Sequence, residues 1–284
     1  MKTGLILEGG GLRGAFTVGV LEVFAEENIT FDYGIGASAG AATLGNFISG
    51  QNIRSKEAVL CPRNNTYYGV REFFKSGKFM NLDKLYSRNY SAITPFDLEN
   101  YVKNPMEREY VVTNCETGKA EYLTDDKTYE GYVAVSKATS SLPIISRPCK
   151  VGDKYYMDGS ISDPIPMTRA QEKGCERIIF IGTGGKRMKP SDMSKFIWLM
   201  KIVYPSKFKP FIKAVKNRIP LLEKKKEYAK ELEAQGKVMQ IHPSGKVAIK
   251  HMERDVDKIQ AFYEDGKSVA REKMPEIKKF LGTE

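Results

Sequence analysis

The chain has 284 residues, 41% of them hydrophobic and 28% charged, with a formal net charge of +10. That composition supports a packed core and argues against wholesale disorder. No stretch approaches the roughly 20 apolar residues needed to cross a bilayer, and Glu8 interrupts the opening apolar run too early for a secretory leader. Cys61, Cys115, Cys149 and Cys175 show no CxxC spacing. The expectation is therefore a reduced, cytoplasmic protein with no metal, no cofactor and no disulfide framework.

In chain order, Thr3–Glu8 reads as a buried strand and Gly14–Ala25 as a helix. Phe31–Ile35 is a short strand running into Ser38, and Ala39–Ile48 is a second helix rich in small residues. Strand, helix, strand and helix within fifty residues predict parallel strands joined by right-handed crossovers. Residues 51–105 are less regular and are the place expected for a lid. Within them, Thr94–Tyr101 reads as a capped short helix with Pro95 at its first position. Tyr110–Cys115 is a strand with Tyr122–Thr124 as a candidate partner, and Tyr132–Ser140 is helical. Val151–Met157 forms a hairpin about Gly152-Asp153, and Arg177–Gly182 is a continuous apolar strand. Three helices then follow, Ser191–Val203, Ser206–Lys216 and Leu221–Ala234, punctuated by Pro205, Pro210 and Pro220. Lys237–Ile241 is a candidate strand. Asp255–Leu281 is a helix with Gly266 weakening its middle. The expected organisation is an α/β core over residues 1–185 and a mostly helical region over 186–284 packed on it.

The positive charge is confined. Residues 1–185 hold 21 Lys and Arg against 22 Asp and Glu, residues 186–230 hold 14 against 3, and residues 231–284 hold 10 against 10. An anionic surface is the natural partner of such a segment. Its lysines alternate with Phe196, Trp198, Ile202, Phe208, Phe211 and Val215. That pattern suits peripheral contact with the inner face of an anionic membrane. It suits equally a helix whose apolar face packs on the core while its lysines are solvated. No motif that reads nucleic acid accompanies the charge, so a nucleic-acid partner is not expected.

Two glycine-framed clusters carry the chemistry. Gly36-Ala37-Ser38-Ala39-Gly40 lies between a strand and a helix, as a nucleophile elbow does, with Ser38 exposed above the sheet edge. The plain alternative makes Ser38 only the cap of the helix that starts at Ala39. Gly9-Gly10-Gly11-Leu12-Arg13-Gly14 offers backbone N–H groups that can point at an anion, with Arg13 placed for an oxyanion or a lipid phosphate. The same run matches GxGxxG of dinucleotide-binding folds. That fold wants an acidic residue at the end of the second strand, whereas Asp32 precedes the strand and a serine elbow follows it. For the base, Asp158 in Met157-Asp158-Gly159-Ser160 ends an apolar strand at the edge where open α/β sheets place their sites, although Asp-Gly is also an ordinary turn. Asp163 suits orientation of the loop before Pro164 and Pro166. His242 and His251 have no carboxylate motif beside them and read as surface residues.

Taken in order, Gly9–Gly14, Gly36–Gly40 and Asp158-Gly159 resemble the GGGxR/KG, GxSxG and DG[G/A] motifs of the patatin-like phospholipases. Ala138–Pro143 is similar to that family's segment ahead of the aspartate, and the resemblance covers about residues 4–185. It implies a three-layer α/β/α core with a mainly parallel sheet and a Ser38–Asp158 dyad without histidine. It also implies an oxyanion hole drawn from Gly9, Gly10, Gly11, Arg13 and Ala39, with Gly14, Gly36, Gly40 and Gly159 shaping the turns. The activity implied is metal-free hydrolysis of lipid acyl esters through an acyl-enzyme. Ser160 and Pro164 depart from the family pattern, which bears on loop shape and substrate. The alternative function is a non-catalytic lipid- or nucleotide-binding α/β protein that keeps the elbow as architecture.

Overall fold

Apolar runs without polar alternation make strands buried on both faces, and three such strands, flanked by two with polar residues, form the spine of the molecule. In the computed structural model, residues 1–60, 67–76, 79–87, 93–185, 188 and 190–283 are described. β1 (Thr3–Leu7), β2 (Tyr33–Ala37), β3 (Glu107–Asn114), β7 (Arg177–Ile181) and β8 (Val238–Ile241) are parallel neighbours in the order β3-β2-β1-β7-β8. Three short antiparallel strands, β4 (Ala120–Leu123), β5 (Cys149–Val151) and β6 (Lys154–Asp158), complete an eight-stranded sheet at the β3 side.

Helices cover both faces, because successive side chains of a strand point to opposite sides. Leu5 and Leu7 join the face covered by α1 (Gly14–Glu26), α2 (Ala39–Ile48), α7 (Tyr129–Thr139) and α11 (Val256–Leu281), where Phe16, Leu44, Tyr132 and Phe262 are buried. Between α2 and β3 lie α3 (Asn52–Leu60), α4 (Val70–Ser76), α5 (Leu82–Leu85) and α6 (Leu98–Lys103). Ile6 and Ile35 point the other way, onto α8 (Met167–Glu172) and α10 (Lys209–Ala234) through Ala170, Leu222, Ala229 and Leu232. α9 (Ile197–Val203) precedes α10. The arrangement is the expected three-layer α/β/α core.

The region after residue 185 shares that core: β8 extends the sheet, and α11 lies along α1. Gly266 does not weaken α11; a Cβ there would stand 2.2 Å from the Phe16 carbonyl oxygen, so glycine permits the close crossing with α1. Pro220 does not divide two helices either, since α10 runs through it. Proline removes one hydrogen bond, but Phe211, Ile212 and Val215 before it and Leu222, Ala229 and Leu232 after it are all buried. Packing on both sides carries the helix across. The helix expected at Thr94–Tyr101 begins later, at Leu98. The Asp97 side chain accepts from the Asn100 N–H at 3.0 Å, so Asp97 caps it and Pro95 lies outside. Cys61 lies outside the described residues.

Candidate active site

The register of β3 brings two distant segments together. One edge of β3 is occupied by β4, paired to Tyr110–Thr113. The other must then take β2, paired to Glu107–Val111, and β6, paired to Val112–Asn114. β2 therefore ends opposite Val111, and antiparallel β6 ends at Asp158 opposite Val112, the next residue. Two strands 120 positions apart in sequence meet end to end, placing Ser38 and Asp158 at a single break in the sheet.

Ser38 sits at φ 54°, ψ −126°, a region that is nearly glycine-only and costs about 1–3 kcal/mol. The turn is held by its surroundings. The Ser38 N–H donates to Thr139 Oγ1 at 3.0 Å, and that hydroxyl donates to the Val111 carbonyl at 2.6 Å. A Cβ on Gly40 would lie 2.4 Å from the Leu7 carbonyl oxygen, so only glycine lets α2 start this close to β1. Gly36 lies in β2 and Gly14 opens α1. The Ser38 side chain accepts no capping bond, so helix capping does not explain the serine.

Asp158 is fully buried. Its Oδ1 accepts from the Ser160 N–H at 2.8 Å, while Oδ2 has no well-formed hydrogen bond among the described residues. Burial pushes its carboxyl up from the ordinary aspartate range. The Ser38 hydroxyl, Ser160 and the Arg218 charge pull it part of the way back. Gly159 follows directly and opens a short 3-10 turn rather than a hairpin.

Ser38, Asp158, Gly9, Gly10, Gly11, Gly14 and Ala39 all line one cavity of about 180 Å³. Its walls are mostly apolar, among them Leu12, Ala58, Val59, Leu85, Ile145 and Met193. α3 and α5 form part of them, within the irregular segment expected to supply a lid. Ala39 is the first residue of α2, so its N–H is one of those a helix leaves without an intrahelical partner.

Arg13 is placed differently from expectation. It does not line this cavity; it is buried, and its Nε donates to the Ile249 carbonyl at 3.1 Å. Two residues on, the His251 carbonyl accepts from the Leu12 N–H at 2.9 Å. The segment before α11 thus straps the glycine loop from outside, and Arg13 serves that strap. His251 is also not a plain surface residue: it is half-buried and lines the cavity. Burial, with the Arg13 and Arg218 charges, pushes it down to about 4, so it is neutral at pH 7. His242 stays away, exposed and edge-on to Phe180. Arg218 of α10 reaches the cavity, its Nε donating to the Ser160 carbonyl at 3.1 Å. Asp163 accepts from the Tyr122 hydroxyl at 2.8 Å and pairs with Lys225 at 2.8 Å, fixing the loop that follows.

A three-layer α/β/α sheet carrying a strained serine and a buried carboxylate on one apolar cavity defines a class of serine-elbow α/β proteins. The chain belongs to the patatin-like phospholipase family, whose model matches residues 5–170. A second model, described as a domain of unknown function (DUF6363), matches residues 208–282. Among curated proteins, the chain is 29% identical over 206 residues to the uncharacterized protein YjjU of Escherichia coli. That match covers 66% of this chain and 53% of YjjU. It is 24% identical over 191 residues to lysophospholipase NTE1 of Saccharomyces cerevisiae, covering 64% of this chain and 11% of that protein. The chain thus spans about half, or much less, of these relatives. Among solved structures, VipD from Legionella pneumophila superposes with a TM-score of 0.51 at 12% identity, over 95% of this chain and 66% of that one, a likeness of fold.

Proposed function

We propose that the protein is a serine lipid acyl hydrolase acting through a Ser38–Asp158 dyad. The observation that carries this reading is the pairing of Ser38, in a conformation only surrounding structure can sustain, with the open Oδ2 of Asp158 on one apolar cavity. Ser38 Oγ attacks the acyl carbonyl carbon while its proton passes to Asp158. The N–H groups of Gly10, Gly11 and Ala39 receive the oxyanion, each such donor being worth about 3 kcal/mol. Collapse expels the alcohol, which takes the proton from Asp158. Asp158 then takes a proton from water, whose oxygen attacks the acyl-enzyme. Fatty acid leaves as Ser38 Oγ recovers its proton. Burial that raises the carboxyl makes Asp158 a better base than an exposed aspartate.

A fluorophosphonate probe tests the reading, since only an activated serine labels. Labelling and short-chain ester turnover are expected in the wild type and absent in Ser38→Ala and Asp158→Ala. A folded wild type that neither labels nor turns over ester would leave the non-catalytic lipid-binding reading. Equal loss in His251→Ala, with its fold intact, would replace the dyad by a histidine-assisted site.

The lipid would be met at a surface. Phe208, Phe211 and Val215 pack on the core, as one of the two expectations had it. In contrast, Phe196, Trp198, Ile202 and Val203 are exposed, with Trp198 at 64% and Ile202 at 73%. Lys195 and Lys201 beside them are exposed and have no ion pair among the described residues. Among the described residues no helix is long and apolar enough to cross a membrane, which makes α9 a candidate for shallow insertion at an anionic bilayer. Trp198 is the single tryptophan. Its emission should shift to the blue with phosphatidylglycerol vesicles at low salt and not with phosphatidylcholine alone. No shift with either would remove the membrane contact.

A further inference from the structure

The cavity around Ser38 is largely apolar, yet its described lining residues include two guanidinium groups, Arg54 and Arg218, against one carboxylate, Asp158. Arg218 is occupied by backbone, donating to the Ser160 and Ser191 carbonyls at 3.1 and 2.9 Å. Arg54 is not so provided for. It is 5% exposed, its NH1 donates to Asn46 Oδ1 at 3.2 Å, and its Cζ lies 5.7 Å from the centroid of the Phe96 ring. Among the described residues, its Nε has no hydrogen-bond partner and no carboxylate pairs with it. A buried guanidinium without a counter-charge is costly unless an anion arrives to share the site.

We propose that Arg54 recognises an anionic oxygen group of the substrate, the headgroup phosphate of a glycerophospholipid, with Asn46 and Ser55 beside it. Asn46 Nδ2 donates to Ser55 Oγ at 2.9 Å, which leaves the Ser55 hydroxyl proton available to an anion. The placement fits the chemistry. Ala39, Ala42, Thr43 and Asn46 line the cavity along one face of α2, so Asn46 lies about 12 Å along the helix from Ser38. That is too far for the oxyanion and too far for a fatty-acid carboxylate still at the serine. It suits a phosphate several bonds from the scissile carbonyl, received by a guanidinium fork.

The proposal deepens the hydrolase reading, but its test is binding and does not depend on turnover. Calorimetry on Ser38→Ala would compare lysophosphatidate, a monoacylglycerol and a free fatty acid of the same chain length, all below aggregation. Lysophosphatidate is expected to bind roughly tenfold to a hundredfold tighter than the monoacylglycerol. Arg54→Gln in that background should erase the difference while leaving the neutral lipid unchanged. Arg54→Lys should recover part of it. Tighter binding of the fatty acid than of lysophosphatidate would overturn the phosphate assignment. Equal weakening of charged and neutral lipids in a folded Arg54→Gln protein would make the arginine only a staple between α2 and α3. Preferential binding of lysophosphatidate in a protein whose wild type never turns over ester would sustain Arg54 and remove the hydrolase.

Discussion

Gly11→Ala separates the glycine loop, proposed to receive the oxyanion, from the strap that holds it. Gly11 has φ +56°, and a Cβ there would lie 2.6 Å from the His251 carbonyl oxygen. The new methyl and that oxygen must part by most of an ångström, and the carbonyl is the one that accepts the Leu12 N–H at 2.9 Å. Left-handed strain costs about 1 kcal/mol and the broken hydrogen bond about 1 kcal/mol more. The melting temperature should fall by roughly 4–8 °C. The rate effect should be larger, because displacing one oxyanion donor costs about 3 kcal/mol, or roughly a hundredfold in kcat. KM should move little, since in the proposed mechanism these N–H groups bind the tetrahedral species rather than the ester. Gly245→Ala is the control: it has φ +86° with open space around it, so it should lose stability and keep full turnover. Kinetics on a chromogenic butyrate ester with a parallel thermal melt measure both. A folded Gly11→Ala protein with kcat within about threefold of wild type would refute the loop's role.

Asp158→Asn should abolish turnover yet raise the melting temperature at pH 7. The folded pKa lies above the unfolded value of about 3.9, so the carboxyl favours folding while protonated, and that contribution is lost as pH rises through the folded pKa. For the same reason wild-type kcat should rise with pH about a midpoint above the ordinary aspartate value; a midpoint at about 3.9 or below would count against the buried base. Ser38→Gly should also be inactive but gain about 1–3 kcal/mol in a denaturant titration, since glycine tolerates φ 54°. Truncation after Gly185 should give an insoluble protein, because it bares the β7 edge and the face of α1 covered by α11; a soluble, cooperatively melting fragment would refute the shared core.

The elements that carry local signatures were legible. The Ser38 turn is framed by glycines that the close approach of α2 and β1 demands, and Asp158 ends an apolar strand, so both follow from residue type and position. Where a second segment decides, the sequence misleads. Gly266 reads as a weak point until α1 is laid beside it, and Pro220 reads as a boundary until the buried stripe on both sides is seen. Propensity is local, and packing against a partner overrides it by a larger margin.

The same distinction explains which parts of the candidate site stayed hidden. A nucleophile and a base need particular side chains, so they leave marks in sequence. The strap works through the carbonyls of Ile249 and His251, and every residue has a carbonyl, so no motif can announce it. Arg13 stands out in the sequence because arginine beside a glycine run is unusual, but its partner, the Ile249 carbonyl, carries no signature, so the motif points to an oxyanion instead. Arg54 and Arg218 were hidden differently: each lies on a helix rich in polar residues, where an arginine ordinarily faces water. Only burial against the cavity separates them from their neighbours. Arg218 and His251 fall within the second matched segment and Ser38 and Asp158 within the first. A cavity walled by both ties substitutions in either segment to the same site.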